Sequence, residues 1–222
     1  MSRDVEVAIL FADVVGSTQL YEKLGDDKAR EMVARCLEIM REATEDQSGR
    51  VIKTMGDEVM STFPSADEAM TAAKQMQETI SSDEELDHED GHVAIRIGCH
   101  FGPVVQENRD IFGSAVHTAN RMTSQAKAHQ IITTAATVEL LSDGWETMVR
   151  QIDVATVRGQ SDEVVLFEVL WQPDDATSML PTVGLGQKRN RSRRVRLSFK
   201  GQEVTVDETA RAVWVPSFDD TE

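Results

Sequence analysis

Apolar residues in the first part of the chain follow two patterns, one typical of buried strands and one typical of helices. Residues 5–15 are almost all apolar around Asp13, as expected for a strand that is covered on both faces. Between residues 27 and 47 the apolar positions recur at spacings of three and four, which predicts a long amphipathic helix. Gly49 is predicted to end that helix. The chain therefore begins with a predicted buried strand and a helix that packs on it.

The pattern then changes between short strands and helices. Two strand-like runs, residues 50–54 and 58–63, flank Gly56 and Asp57 and predict a tight hairpin with an aspartate at its tip. A second amphipathic helix follows, and residues 81–92, rich in Asp and Glu without apolar period, predict an exposed loop. The later predicted elements are strands 93–98 and 100–106, a loop containing Asp110, a helix over 114–127, a short strand over 131–133, and a closing pair of strands over 147–157 and 164–170.

This order of elements mixes hairpins with crossover helices. It predicts an α+β fold, in which helices pack on a mixed, largely antiparallel sheet. The length of 222 residues suits one domain, residues 1–172, followed by a linker and tail, residues 173–222. The tail contains a basic stretch, predicted to be a solvated linker, although an acidic surface, a membrane or a nucleic acid could also contact it. Its strand-like end faintly resembles the opening strands of a forkhead-associated domain, cut short.

Composition narrows the class of protein. The formal net charge is −16, which argues against a nucleic-acid partner, and a polyphosphate ligand would need metal ions or a focused cationic pocket. No apolar run approaches a membrane span, and charges interrupt the N-terminal apolar stretch, unlike a signal peptide. Cys36 and Cys99 fall in core positions rather than at disulfide spacing. These features predict a cytoplasmic protein without an integral membrane segment.

Several residues at the ends of predicted elements could bind a phosphorylated ligand. Asp13 and Asp57 each place a carboxylate at an edge of the sheet, where two such groups could share hard cations. Gly16, Ser17 and Thr18 form a turn into a helix, whose free amides favour phosphate oxygens. Each signal is weak alone, because Asp57 could simply form the turn and Asp13 could cap loop amides. His88 and His92 have the spacing of a helical metal site, but Gly91 and the acidic loop argue against zinc there.

Three segments together resemble the class III adenylate and guanylate cyclases. They are FADVVGST at 11–18, IKTMGDEVMSTF at 52–63 and RDIFGSAVHTANRM at 109–122. The resemblance covers about residues 5–170 and implies the palm-type, ferredoxin-like cyclase fold. It implies that Asp13, Asp57 and the carbonyl of Val14 bind metal. It also implies that Lys53 and Asp110 read the base, and this pair implies adenine, because a guanine-reading site would carry Glu and a small polar residue instead.

The resemblance also assigns residues around the phosphates. Arg121 matches the transition-state arginine of the family, but His117 stands where the family has an asparagine. A neutral histidine donates one hydrogen bond at a different reach, so rate and pH profile are expected to differ from the family's. Val164 stands where some members place a phosphate-binding lysine, and Arg158 is a candidate substitute.

By this resemblance the chain is an adenylate cyclase in intracellular signal transduction, converting ATP to 3',5'-cyclic AMP and pyrophosphate with two Mg²⁺ or Mn²⁺ ions per site. Lys53 and Asp57 are four residues apart in one predicted hairpin, whereas the base and the metals of a bound nucleotide are roughly 10 Å apart. A single hairpin is therefore poorly placed to contact both the base and the metals of the same nucleotide. The family solves this with two subunits, and a homodimer with ATP sites at its interface is expected. Because of His117, a weakly active or inactive nucleotide-binding dimerisation module stays open as an alternative.

Overall fold

An eight-stranded sheet is the framework of the described residues up to residue 172. The computed structural model describes residues 3–156, 163–172, 194–199 and 202–207. The strands of the sheet are β1 (Arg3–Val14), β2 (Arg50–Met55), β3 (Glu58–Phe63), β6 (Ile95–Glu107), β7 (Asp110–Phe112), β8 (Ile131–Thr134), β9 (Val149–Thr156) and β10 (Glu163–Val169). Between β3 and β6 in the chain, the two-residue strands β4 (Asp87–His88) and β5 (Gly91–His92) form a separate hairpin. The helices are α1 (Ser17–Leu24), α2 (Asp26–Asp46), α3 (Ala66–Ser82), α4 (Ser114–Gln125) and α5 (Ala135–Val138). The tail contributes a separate antiparallel pair, β11 (Arg194–Phe199) and β12 (Gln202–Asp207).

The strand order is β2-β3-β1-β6-β8-β10-β9, with β7 paired to the far end of β6. Every neighbouring pair is antiparallel except β6 and β8, which the crossover helix α4 makes parallel. The predicted α+β class with a largely antiparallel sheet is therefore confirmed. The chain divides into two compact units, Met1–Thr182 and Val183–Glu222, a division that falls inside the segment predicted as linker and tail.

Helices cover both faces of the sheet, which explains the unbroken apolar run of β1. Ala8, Leu10 and Ala12 join one buried cluster with α2 and α3, whereas Ile9 and Phe11 join a second with α4. All five side chains are at most 2% exposed. Burying both alternating sets removes the polar positions that a half-exposed strand would show. The central strand is therefore held from both sides, and its end, where Asp13 lies, is fixed.

The predicted break between strands 93–98 and 100–106 is wrong, because β6 is one continuous strand that pairs with β1 from Ile95 to Gln106. Gly98 lies within β6 at a position that has no room for a side chain. A Cβ at Gly98 would lie 2.0 Å from the Thr123 amide nitrogen and 2.5 Å from the Met122 carbonyl carbon. Only a glycine lets the backbone of α4 approach the strand so closely. Gly98 is therefore explained by a tight contact with α4.

Three further local predictions are corrected. Residues 81–92 are not simply an exposed loop, since Leu86 is fully buried in the larger core cluster and β4 and β5 form a short hairpin. Asp110 begins strand β7 rather than lying in a loop. The left-handed residue after α2 is Ser48, with φ 57°, rather than Gly49. Gly49 is required instead because a Cβ there would lie 2.4 Å from the Phe63 ring.

Candidate active site

Asp13, at the end of β1, lies between two charged residues on neighbouring strands. Its register partners are Glu58 on β3 and Arg96 on β6. The Arg96 Nε donates to Asp13 Oδ2 at 2.7 Å, and Nη2 of the same guanidinium lies 2.5 Å from that oxygen. The side chain of Asp13 is only 14% exposed, whereas that of Arg96 is 36% exposed. Three charged groups thus lie side by side across three strands.

The two predicted metal aspartates are brought together. The Val14 amide, directly after Asp13, donates to the Asp57 carbonyl at 3.3 Å, which ties the end of β1 to the tip of the β2–β3 hairpin. Gly56 permits that two-residue turn with φ 65°. The structure places Val14 between the two aspartates, and the predicted role of its carbonyl as a ligand stays a prediction.

Negative charge concentrates at this edge of the sheet. Burial, together with the charge of Asp57, raises the pKa of Asp13 even though the hydrogen bond and charge of Arg96 oppose the rise. Burial and then the charges of Asp13 and Asp57 raise the pKa of Glu58 to about 7. Burial disfavours the charged carboxylates, and their mutual repulsion adds to this effect. A cation beside Asp13 and Asp57 would oppose both effects.

The described residues do not form a complete metal cage. No group of three or more His, Cys, Asp or Glu side chains that could hold a metal is found among them. Magnesium commonly binds through one or two carboxylates and completes its shell with water and substrate phosphates. Asp13 and Asp57 fit that kind of open site, in which a polyphosphate supplies the remaining oxygens.

The turn after Asp13 leads into α1 as predicted. Gly16 has a left-handed φ of 69°, and no side chain caps the helix, so the first amides of α1, which include those of Ser17 and Thr18, have no side-chain acceptor there. The Val15 amide donates to the Ala94 carbonyl at 2.8 Å. This contact holds the turn against the residues just before β6. The helix begins beside Asp13, where its dipole favours an anion.

Lys53 and Asp110 form a second, separate group. The Lys53 Nζ lies 3.0 Å from Asp110 Oδ1 and 2.9 Å from Oδ2, and the Ile111 amide also donates to Oδ1 at 2.9 Å. The hydrogen bond from Lys53 is the main cause that lowers the pKa of Asp110. An irregularity between Val51 and Lys53 shifts the register of β2, so that Lys53 pairs with Met60 of β3. Both side chains are partly exposed, at 40% and 34%, and are accessible to a ligand.

The remaining predicted residues lie on α4 and at the end of the sheet. His117 is exposed and Arg121 partly exposed on α4, opposite the buried Ala115 and Ala119. Val164 is half-buried and packs with a small cluster under β10. Arg158 lies outside the described residues. Within the described ranges no hydrogen bond or ion pair is seen between the Lys53–Asp110 pair and the Asp13–Asp57 edge.

Sequence reasoning missed Arg96 and Glu58. Both interrupt otherwise apolar or polar-alternating strands, and a charged residue inside a central strand such as VAIRIG is a signal that could have been used. Their contact with Asp13 follows from strand register, which the sequence does not reveal.

A mixed sheet with helices on both faces, an acidic edge and a lysine–aspartate pair define this α+β domain. The chain belongs to the family of adenylate and guanylate cyclase catalytic domains, whose model matches residues 1–169. The resemblance seen in the sequence is thereby confirmed. No helix in the described part of the chain is long and apolar enough to cross a membrane.

Individual relatives agree with this family. An adenylate cyclase of Streptomyces coelicolor is 31% identical over 138 residues, which are 62% of this chain and 35% of that protein. The chain spans about a third of the length of such curated relatives. An adenylate/guanylate cyclase/hydrolase from Silicibacter pomeroyi shares the fold with TM-score 0.69 at 24% identity, over 77% of this chain and 99% of that one. The catalytic core of a rhodopsin-guanylyl cyclase with converted specificity, solved with ATPαS, has TM-score 0.68 at 22% identity, over 76% and 98%.

Proposed function

We propose that this chain is an adenylate cyclase that forms 3',5'-cyclic AMP and pyrophosphate from ATP as a homodimer. The observation that carries the choice of ATP is the Lys53–Asp110 pair, in which an ammonium donor and a carboxylate acceptor lie 2.9 Å apart. Adenine presents an acceptor nitrogen beside an amino donor, so this pair complements its edge. Because a site built for hydrogen bonds rejects a base that leaves them unpaired, ATP is preferred over GTP.

Asp13 and Asp57 are the proposed ligands of two divalent ions, Mg²⁺ or Mn²⁺. The all-oxygen donors and the excess negative charge around Glu58 support this choice. When bound, such ions lower the pKa of the attacking ribose 3' hydroxyl and neutralise charge on the leaving pyrophosphate. Arg96 opposes the rise in the pKa of Asp13 and orients its carboxylate, and its partly exposed guanidinium is available to a phosphate oxygen. The first amides of α1 offer further donors to the phosphates.

Arg121 is the proposed cation that offsets charge developing on the α-phosphate. His117 lies one turn before it on the same face of α4, and its ring offers one hydrogen bond to the ribose or phosphate. The tight contact between Gly98 and the α4 backbone fixes the distance between the sheet and the helix that carries His117 and Arg121.

Two subunits are proposed because, within one protomer, the Lys53–Asp110 pair and the Asp13–Asp57 edge form two separate groups. The base-reading pair and the acidic edge are separate, and a nucleotide needs both. In a symmetric dimer, the acidic edge of one protomer would face Lys53, Asp110 and Arg121 of the other, which gives two equivalent sites.

Cyclic AMP formation from manganese ATP tests the activity. We expect turnover with ATP, little with GTP, and loss of turnover in Asp57→Ala, while the control Asp27→Ala, an exposed aspartate on α2, keeps wild-type rates. ATP binding without turnover in the wild type would instead favour the regulatory module, for which His117 is the motivating residue.

Mixing two inactive variants tests the shared sites. Asp57→Ala and Arg121→Ala should each be inactive alone. Mixed in equal amounts, they should recover about a quarter of wild-type activity, because about half of the dimers are mixed and each has one intact site. No recovery, with mixed dimers demonstrated by differently tagged chains, would rule out sites built from both subunits.

A further inference from the structure

His92, on β5, contacts two different elements through its two ring nitrogens. Its Nδ1 lies 2.8 Å from Asp87 Oδ1 on β4, and its Nε2 lies 2.5 Å from the carbonyl oxygen of Ile80 in the last turn of α3. The side chain is 23% exposed. Neither the proposed chemistry nor the core uses this residue, although the surrounding residues 83–92, here called the acidic hairpin, are mostly exposed.

Both contacts are satisfied only by a doubly protonated ring. A carboxylate and a carbonyl oxygen accept hydrogen bonds and donate none, whereas a neutral imidazole has a single N–H. The imidazolium has two, so it can donate to Asp87 and Ile80 together. The Ile80 carbonyl also accepts from the Asp83 amide at 3.3 Å, and it lies at the negative end of α3, where a cation is favoured.

The segment that follows His92 holds the turn after Asp13. The Val93 amide donates to the Leu86 carbonyl at 3.0 Å, and the Ala94 carbonyl accepts from the Val15 amide at 2.8 Å. The acidic hairpin also contacts the far end of α1, where Lys23 pairs with Asp90 at 2.8 Å. The acidic hairpin thus contacts both the beginning and the end of the segment from Val15 to Lys23.

We infer that His92 is a positioning residue for this segment: as an imidazolium it fastens the acidic hairpin to the end of α3, and the hairpin in turn holds the Val15 amide through Ala94. The inference rests on the proposed function for its effect on catalysis, because Val15 lies between the aspartate and the amides that are proposed to bind metal and phosphate. Its structural part, the restraint of Val15, stands independently of any activity.

The groups around His92 determine how the restraint depends on pH. Burial alone would lower the pKa of His92, but the hydrogen bonds to Asp87 and the Ile80 carbonyl, with the charges of Asp87 and Asp83, raise it above its ordinary value. Asp83 is itself held by Arg35 at 2.8 Å. His129 also interacts electrostatically with His92, since burial followed by the charge of His92 lowers the pKa of His129. A neutral ring can donate to only one of the two acceptors, so the restraint is complete below the ordinary histidine pKa and weakens as pH rises through the raised value.

Two variants separate this role from a merely structural one. His92→Ala removes the fastening at every pH. Asp87→Asn keeps it at every pH, because an asparagine amide can donate to Nδ1 of a neutral ring whose Nε2–H still reaches Ile80. His88→Gln is the matched control, since the hydrogen bond that His88 accepts among the described residues, from the Asp90 amide, stays within its own hairpin.

The test is hydrogen exchange of the Val15 amide, corrected for intrinsic rates, below and above the titration of His92 followed by NMR in the full chain. In wild type and His88→Gln, protection should fall by about tenfold as the ring deprotonates, the loss expected for one charged hydrogen bond. Protection should be low throughout in His92→Ala and high throughout in Asp87→Asn. Wild-type protection in His92→Ala below the titration, or a wild-type fall in Asp87→Asn, would overturn the inference.

Catalytic assays on the same variants distinguish the two claims. If the chain makes cyclic AMP, the Mn²⁺ concentration for half-maximal rate should rise in His92→Ala and not in His88→Gln. A chain without cyclase activity whose Val15 exchange still follows His92 would refute the proposed function and support the positioning. An active chain in which His92→Ala alters neither Val15 nor the metal requirement would refute the positioning alone.

Discussion

Replacing Arg96 with methionine tests whether the acidic edge is a cation site. The substitution keeps an unbranched chain and removes both donors to Asp13 Oδ2, a carboxylate only 14% exposed. A hydrogen bond to a charged group contributes about 1.5–3 kcal/mol, and removing one partner of a fully buried pair costs about 3–5 kcal/mol. Because Arg96 is 36% exposed, solvent screening reduces the loss, and we expect about 2 kcal/mol. For a domain of this size, this lowers Tm by about 4–8 °C.

The chain offers a matched control in Arg150→Met. Arg150 pairs with Glu168 at 2.7 Å, with exposures of 43% and 10%, on strands β9 and β10. This pair has similar geometry and burial but no second carboxylate of the candidate site beside it. Both variants should lose similar stability without metal, as measured by urea unfolding.

Manganese should then distinguish the two variants. In Arg96→Met, Asp13 has lost its cation, so Mn²⁺ should bind more strongly and recover more Tm than in the wild type. In Arg150→Met the Mn²⁺ shift should equal the wild-type shift. Cyclase activity should fall in Arg96→Met, because a donor to phosphate is lost, and persist in Arg150→Met. Equal Mn²⁺ shifts in the three proteins would refute a cation site at Asp13.

Three further outcomes are expected. Asp110→Asn should raise KM for ATP in steady-state assays, while urea unfolding shows a loss below about 1 kcal/mol because the pair with Lys53 is partly exposed; an unchanged KM would exclude this pair from base recognition. Gly98→Ala should destabilise by about 1–3 kcal/mol and lower kcat, since its Cβ would collide with Thr123 and displace α4; wild-type kcat with wild-type stability would contradict that packing. Glu58 has a folded-state pKa raised from 4.5 to about 7, so the folded state holds the proton more tightly and metal-free stability should fall as pH rises across that window. Glu58→Gln should remove this fall in urea midpoints, and an identical pH dependence in both proteins would show that Glu58 does not cause it.

The sequence alone determined the elements and most of the candidate site. Apolar spacing predicted the strand around Asp13, the three long helices and the hairpin that carries Asp57, because strand and helix periods are local properties. Motif order placed Asp13, Asp57, Lys53 and Asp110, and the structure brings each pair together, although their roles remain proposals. The family followed from the same segments.

Only the tertiary structure decided what lies beside these residues. Glu58 and Arg96 lie beside Asp13 because three strands align in one register, and register depends on pairing between residues far apart in sequence. Gly98 lies inside a continuous strand and lets the backbone of α4 pack against it. The acidic hairpin is held to the core because the Leu86 side chain is fully buried there. The spacing of apolar residues along the chain predicts the helix or strand to which a residue belongs. The charges and side chains that surround that residue are determined only when the helices and strands pack together.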